Sequence, residues 1–265
     1  MEKLVYLALA SSHQPLRDDS DILAAARDAF APERYRAVSI QLPRRDVEEA
    51  RALARGVVLQ HVHDDHDATV ASEPQQLVAL VSLWVDCADD RGDADAFVAS
   101  LGDVRGYAVT ESVAHWIVDP DGNGPPEAVK AVTVMRPPWG VDRDELVRHW
   151  CDVHMPMSLR IHPQWSYVRN VVVRSLFADE DLPAAVAEQG FAHPGDIIDG
   201  RRFYGAVDDE SYEANRAEIL ADVPKFLDPT TTMTFVTQEH VLRHAWKPLR
   251  MLAPTAATST PTASS

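Results

Sequence analysis

The sequence predicts an α+β fold in which two βαββαβ units pack sheet to sheet as an α/β barrel, a pseudo-dimer within one chain. Three observations predict it. Strand-like and helix-like stretches follow the order strand, helix, strand, insert, strand, helix, strand, and that order occurs twice. The segment DPDGNGPP, residues 119–126, separates the two occurrences, and its Gly and Pro residues can neither extend a helix nor pair in a central strand. The closing strands share letters, AVTESV at 108–113 and FVTQEHV at 235–241. A four-stranded antiparallel sheet with helices on one face leaves the other face bare, and two such sheets facing one another cover both.

In the first half, residues 4–10 form the opening strand, and Ser20 caps a helix running through LAAARDAF. RAVSIQL at 36–42 alternates as a half-buried strand does, and EEARALARG is a helix closed by Gly56. Residues 57–67, VVLQHVHDDHD, read either as a strand extension or as a loop. LVALVSLWV at 77–85 is apolar enough for a central strand; DADAFVASLG is a short helix ending at Gly102; residues 107–118 supply the last strand.

In the second half, AVKAVTVM at 128–135 is a strand and RPPWG at 136–140 a turn. VDRDELVRHWCDVHMPMSLRIHPQWSY at 141–167 then opens like a capped helix and stops at prolines. A strand follows over 167–176, an insert over 177–194, and a strand over 197–207 that contains RRFYGAV. Residues 211–226 form a helix with Pro224 near its end, and TTMTFVTQEHVL closes the half. Each half has the ferredoxin-like order. The division is residues 1–119, a linker at 120–127, a second repeat at 128–250, and a disordered Ala, Thr, Ser and Pro tail at 251–265.

Composition narrows the function classes. The 265 residues are 46% hydrophobic, enough for a well-formed core. Acidic residues outnumber basic ones 41 to 25, for a formal charge of −16, and the basic clusters are short, so no nucleic-acid partner is expected. The two cysteines, Cys87 and Cys151, build neither a disulfide framework nor a metal knuckle. No stretch approaches the roughly 20 apolar residues of a membrane span. The start, MEKLVYLALASS, reads as a strand rather than a secretory signal, and the expected location is cytoplasmic.

The stretches GVDRDELVRHWCDVHMPM, SYVRNVV, KFLDP and FVTQEHV resemble the EthD family of dimeric α/β-barrel proteins, across residues 128–243. The most specific piece is Trp150 followed by His154 and Pro156. Relatives in the wider superfamily include cofactor-independent cyclases, quinone-forming monooxygenases and dehydratase or decarboxylase enzymes, many with a His bordering an apolar cavity between helix and sheet. The resemblance implies a site in the second half. The first-half helix, ILAAARDAFAPERYR, carries neither His nor Trp.

His154 then reads either as a general acid or base or as a helix-end His bonded to a carbonyl. His149 lies five residues earlier, about 500° around an α-helix, so the two diverge by roughly 140° and one of them is expected in solvent. Trp150, at i−4 from His154, is an aromatic wall of the site or plain core. Tyr167 and Tyr204, both placed on strands, are candidates to stabilise an enolate, against the reading of buried phenols with satisfied hydroxyls. Trp84 and His115 are further substrate-binding candidates on first-half strands. His61 and His63, with the neighbouring aspartates, have chemistry adequate for zinc, manganese or iron, but the spacing is no recognised ligand motif and suits a solvated loop. No Gly-rich phosphate loop and no GxSxG elbow is present, so no cofactor is expected.

These residues support a cofactor-independent lyase, cyclase or isomerase acting by His acid–base catalysis on a hydrophobic carbonyl, phenolic or polyketide-like small molecule. A cofactorless monooxygenase of a quinol- or anthrone-like substrate and a non-catalytic hydrophobic ligand carrier are the alternatives. The chain is expected to work as a monomeric pseudo-dimer or as a homodimer.

Overall fold

The computed structural model describes residues 1–12, 17–30, 34–55, 75–117, 124–177 and 182–244. The His61 and His63 cluster, the first half of the linker and the tail lie outside the described residues.

The first-half strands are β1 (Glu2–Leu9), β2 (Tyr35–Pro43), β3 (Leu77–Val85) and β4 (Asp103–Trp116), and the second-half strands are β5 (Val129–Met135), β6 (Gln164–Ser175), β7 (Ala185–Phe191) and β8 (Met233–Arg243). They close into one barrel in the order β1-β3-β2-β8-β5-β7-β6-β4. Within each half the order is fourth, first, third, second, and the halves join where β2 pairs with β8 and β4 with β6. The register shows the internal two-fold: Lys3 faces Val109 and Trp84 as Lys130 faces Thr237 and Gly190. Closure leaves no bare sheet edge.

Alternation along β1 sends Leu4, Tyr6 and Ala8 towards the helices and Val5, Leu7 and Leu9 into the barrel. On the first-half outer face, α1 (Asp19–Ala29) and α3 (Gly92–Ala99) bury Ile22, Ala26, Phe97 and Val98. The α1 cap is Asp18 rather than Ser20, and no side-chain bond closes it. A further helix, α2 (Arg45–Arg55), packs Val47 among Val129, Phe191 and Val236 of the second half.

Two second-half expectations are overturned. The third strand is β7, AVAEQGF, inside the stretch read as an insert, and residues 195–203 are two short helices, α6 (Gly195–Ile198) and α7 (Gly200–Phe203). RRFYGAV has strand-like letters, but Asp199 accepts from the backbone of Arg201 and Arg202, which caps a helix, and Gly205 turns at φ 57°. A Cβ on Gly205 would meet the Ile161 carbonyl at 2.3 Å, so the chain there is pressed against another backbone. Tyr204 therefore ends a helix and is not on the sheet.

The helix of 141–167 also differs from expectation. It runs as α4 (Arg143–His149), a π-turn over Trp150–His154, and α5 (Met155–Ile161), continuing through Pro156 and ending before Pro163. Asp142 caps it by accepting from the Glu145 amide. A proline inside an α-helix lacks a donor and drives its ring into the carbonyl four residues back; the wider turn before Pro156 relieves both. The last long helix, α8 (Asp209–Asp222), begins with a reciprocal Asp208 and Ser211 capping box.

Inside the barrel, one half of the interior is apolar, with Leu7, Leu80, Val132, Val134 and Val186. The other half is charged. Lys3 bonds Glu111 (2.7 Å) and Glu188 (3.3 Å), and Lys130 bonds Glu188 (3.0 Å) and Glu239 (2.8 Å). Gln41 and Asn170 also donate to Glu188, and Trp84 donates to Glu111 while its ring lies under Lys3. Burial would raise the Glu188 pKa, but Lys3 and Lys130 outweigh it and hold the carboxyl well below its usual range.

Candidate functional site

The π-turn decides where the histidines point. Its extra residue absorbs about 100°, so His149 and His154 are related as i and i+4 would be, roughly 40° apart rather than 140°. Both rings reach the same carboxylate. His149 Nε2 lies 2.9 Å from Asp222 Oδ1, and His154 Nδ1 lies 3.0 Å from Asp222 Oδ2. This corrects the expectation that one of the pair is left in solvent. Phe226, one turn beyond Asp222, stacks on His149 at 5.2 Å and leans on His154 at 4.7 Å.

Asp222 is 1% exposed. Burial alone would raise its pKa, but the bonds from His149 and His154 outweigh that and keep it below the ordinary carboxylate range. An ionised Asp222 accepts, so His154 Nδ1 carries the proton and Nε2 keeps its lone pair. No described residue bonds that nitrogen. Burial lowers the His154 pKa, with Asp222 opposing, so the ring is a neutral base at neutral pH.

Ser158 and His162 follow His154 at four-residue spacings, which puts all three along one flank of the helix. All are buried. Ser158 Oγ accepts from Gln164 Nε2 (3.1 Å) and Gln189 Nε2 (3.5 Å), both on the facing sheet. His162 Nδ1 lies 2.6 Å from the Phe203 carbonyl, so Nδ1 is the protonated nitrogen here too, and burial pushes this ring down to about 4. Phe203 and Tyr204 pack on it at 4.2 and 5.7 Å. Gln164 Oε1 is buried with no partner. A helix flank packed on a sheet is normally apolar; here the flank and the facing strand carry three acceptors, His154 Nε2, His162 Nε2 and Gln164 Oε1, that no described residue answers.

The other expected residues fall in several places. Trp150 is fully buried and donates to the Tyr167 hydroxyl at 2.7 Å, with Gln189 a second partner of that phenol. Burial pushes Tyr167 up to about 12 against those two bonds, so it is a support of the site's wall and stays protonated. Tyr204 is brought to the His162 end through α7. Trp84 is held in the barrel interior by Glu111, on the opposite face of the sheet from His154. His115 is half-buried near the end of β4, with Tyr167 its neighbour across the strand pair.

Sequence reasoning missed Asp222, Ser158, His162, Gln164 and Gln189. Of these, Ser158 and His162 carried a readable signal, the four-residue spacing from His154, which was masked by the expectation that the helix stops at Pro156.

Among the described residues, no group of His, Cys, Asp and Glu is arranged to hold a metal ion, and no helix is long and apolar enough to cross a membrane. No protein-family model matches the chain, so the likeness to the EthD family remains one of motifs. No curated protein sequence matches either. Among solved structures, an anthrone oxidase-like protein is similar over 93% of this chain and 95% of its own, with a TM-score of 0.50 and 11% identity. A candidate monooxygenase of Fusobacterium nucleatum subsp. nucleatum is similar over 91% and 92%, with a TM-score of 0.44 and 7% identity. At 11% identity the first likeness speaks for the fold alone: an α+β chain closing by itself into an eight-stranded barrel.

Proposed function

We propose that the chain is a cofactor-independent enzyme that moves a proton on a hydrophobic carbonyl- or phenol-bearing small molecule, with His154 as the base. One observation carries this reading: His154 Nδ1 is fixed on a buried carboxylate while its Nε2 has no partner among the described residues. Asp222 sets the tautomer and stabilises the imidazolium that forms when Nε2 takes the proton. Proton loss next to a carbonyl leaves an enolate, from which elimination, ring closure or double-bond migration each proceed.

A second reading shares that first step. If the deprotonated substrate meets O₂, a ring methylene becomes a carbonyl and the second oxygen atom leaves as water, which is monooxygenase chemistry. The likeness to an anthrone oxidase-like fold brings this reading forward.

A panel of fused-ring ketones and phenols tests both. Exchange of the acidic C–H with D₂O is followed by NMR, and O₂ uptake is followed at an electrode. Exchange without O₂ uptake supports the lyase, cyclase or isomerase reading, and stoichiometric O₂ uptake supports the oxygenase. Equal exchange by wild type and His154→Gln removes His154 from the chemistry.

A further inference from the structure

Beyond His154, the C-terminal end of this helix and the first residue of β6 offer two more acceptors, and the proposed reaction does not use them. His162 donates through Nδ1 to the Phe203 carbonyl, which leaves its Nε2 lone pair free, and no described residue bonds that atom. Gln164 spends its Nε2 on Ser158, and its Oε1 has no partner although the residue is only 7% exposed. A buried acceptor without a donor costs about 1–3 kcal/mol. Gln164 Oε1 is such an acceptor, and with the unused His162 Nε2 at the same end of the polar stripe it marks a place where a donor arrives from outside the protein.

The chemistry of that donor follows from what faces it. Among the described residues, none of His154, Ser158, His162 and Gln164 has a lysine or arginine as a partner, so none of their partners answers an anionic group. Among the described residues a cation would find no carboxylate bonded to these four except Asp222, which the two histidines engage at the other end. Burial holds His162 neutral, with a pKa of about 4, so it stays an acceptor throughout the physiological range. The Phe203 and Tyr204 rings beside it suit a flat apolar body carrying the donor.

We propose that His162 Nε2 and Gln164 Oε1 form a second subsite that accepts hydrogen bonds from a neutral hydroxyl at the far end of the substrate. Eight residues separate His162 from His154, about 12 Å along the helix. Subtracting two hydrogen bonds of about 2.8 Å leaves roughly 6–7 Å between the reacting group and the second hydroxyl. That is a separation across fused rings, beyond the reach of neighbouring positions on one ring. The subsite rests on the His154 reading, since it is measured from the proton-transfer position. His162 and Gln164 are positioning residues that set which molecules dock in register with His154.

The test is calorimetric titration of the whole chain with 1-naphthol and with 1,5-dihydroxynaphthalene. The expected result is diol binding about tenfold tighter than the mono-ol, as one or two net hydrogen bonds give. The advantage falls to near unity in Gln164→Leu and His162→Leu. Gln164→Leu guards against misfolding, because it leaves the buried contact of His162 with Phe203 in place. A preference in wild type that both variants keep, or no preference at all, overturns the subsite while leaving His154 as the base. Failure of wild type to bind either probe overturns both, and weakened mono-ol binding in His154→Gln with the diol preference intact supports both.

Discussion

Two buried polar clusters sit on opposite faces of the same sheet, and they are built on opposite rules. Inside the barrel, Glu188 receives Lys3, Lys130, Gln41 and Asn170, and the two lysines are further held by Glu111 and Glu239. Every charge has a partner, and Asn170 Oδ1 and Ser82 Oγ, which lack one among the described residues, are neutral. Across the sheet, His154, His162 and Gln164 each use one polar atom on the protein and leave the other without a partner among the described residues. The first cluster resembles a structural registry device, since a paired buried network constrains which strands meet. The second keeps capacity in reserve, which is what a binding or catalytic surface requires.

The internal two-fold sharpens the contrast. Lys3 and Lys130, Glu111 and Glu239, and Gln41 and Asn170 are related positions, so the interior network is largely shared between halves. The symmetry breaks at Glu188, whose counterpart is Ser82. On the helix side nothing is shared: the first half packs Ile22, Phe30, Tyr35 and Phe97 where the second places histidines and a carboxylate. On the first-half helix side the polar contacts include a bond from Tyr6 to Asp95 and the pairing of Arg91 with the same carboxylate.

The largest expected effect is on the interior. Glu188→Ala leaves Lys3 and Lys130 short of their shared partner and should cost about 3–5 kcal/mol, read from urea unfolding. A loss under about 1 kcal/mol would mean that the interior network contributes little to the fold.

Acid should break the second cluster first. The unfolded His162 titrates near 6.5, and the folded one near 4. The unfolded state therefore binds the proton first, and the stability present above about pH 6.5 falls as the pH drops towards 4, by about 3 kcal/mol in all. His154, also lowered, adds in the same direction. Unfolding free energies between pH 7 and 4 measure this, and His162→Phe should flatten the slope.

On turnover, His154→Gln should lower the rate about a hundredfold or more with the unfolding midpoint nearly unchanged. The smallest effect belongs to the interior again. Ser82 is buried with its hydroxyl unpartnered, so Ser82→Ala should leave stability unchanged or raise it by up to about 1 kcal/mol. A clear loss would show that the broken symmetry has a polar role inside the barrel.

The barrel was legible in the chain because hydrophobic period and repeat order are properties of long segments. β3 and β5 come out within a residue of their observed limits. β7 was not legible, because AVAEQGF is built largely from small and polar residues, the interior Glu188 among them, rather than from strand-favouring letters. At the site, His154 and Trp150 were readable from their spacing and from Pro156. Asp222 was not, since a carboxylate in the last turn of a helix gains meaning only from a contact 68 residues away in sequence. The mutual bearing of His149 and His154 failed for a local reason: regular α geometry does not hold across a π-turn.

The most direct test of His154 as an unprotonated, site-facing base needs no substrate. Long-range ¹H–¹⁵N NMR on ¹⁵N-histidine protein, assigned with His154→Gln, reports the protonation of each ring nitrogen. The account expects His154 at pH 7 to be neutral, with Nδ1 protonated, Nε2 bare, and a titration midpoint below 6.5. A ring protonated on Nε2 at pH 7, or a midpoint above 7, would contradict it.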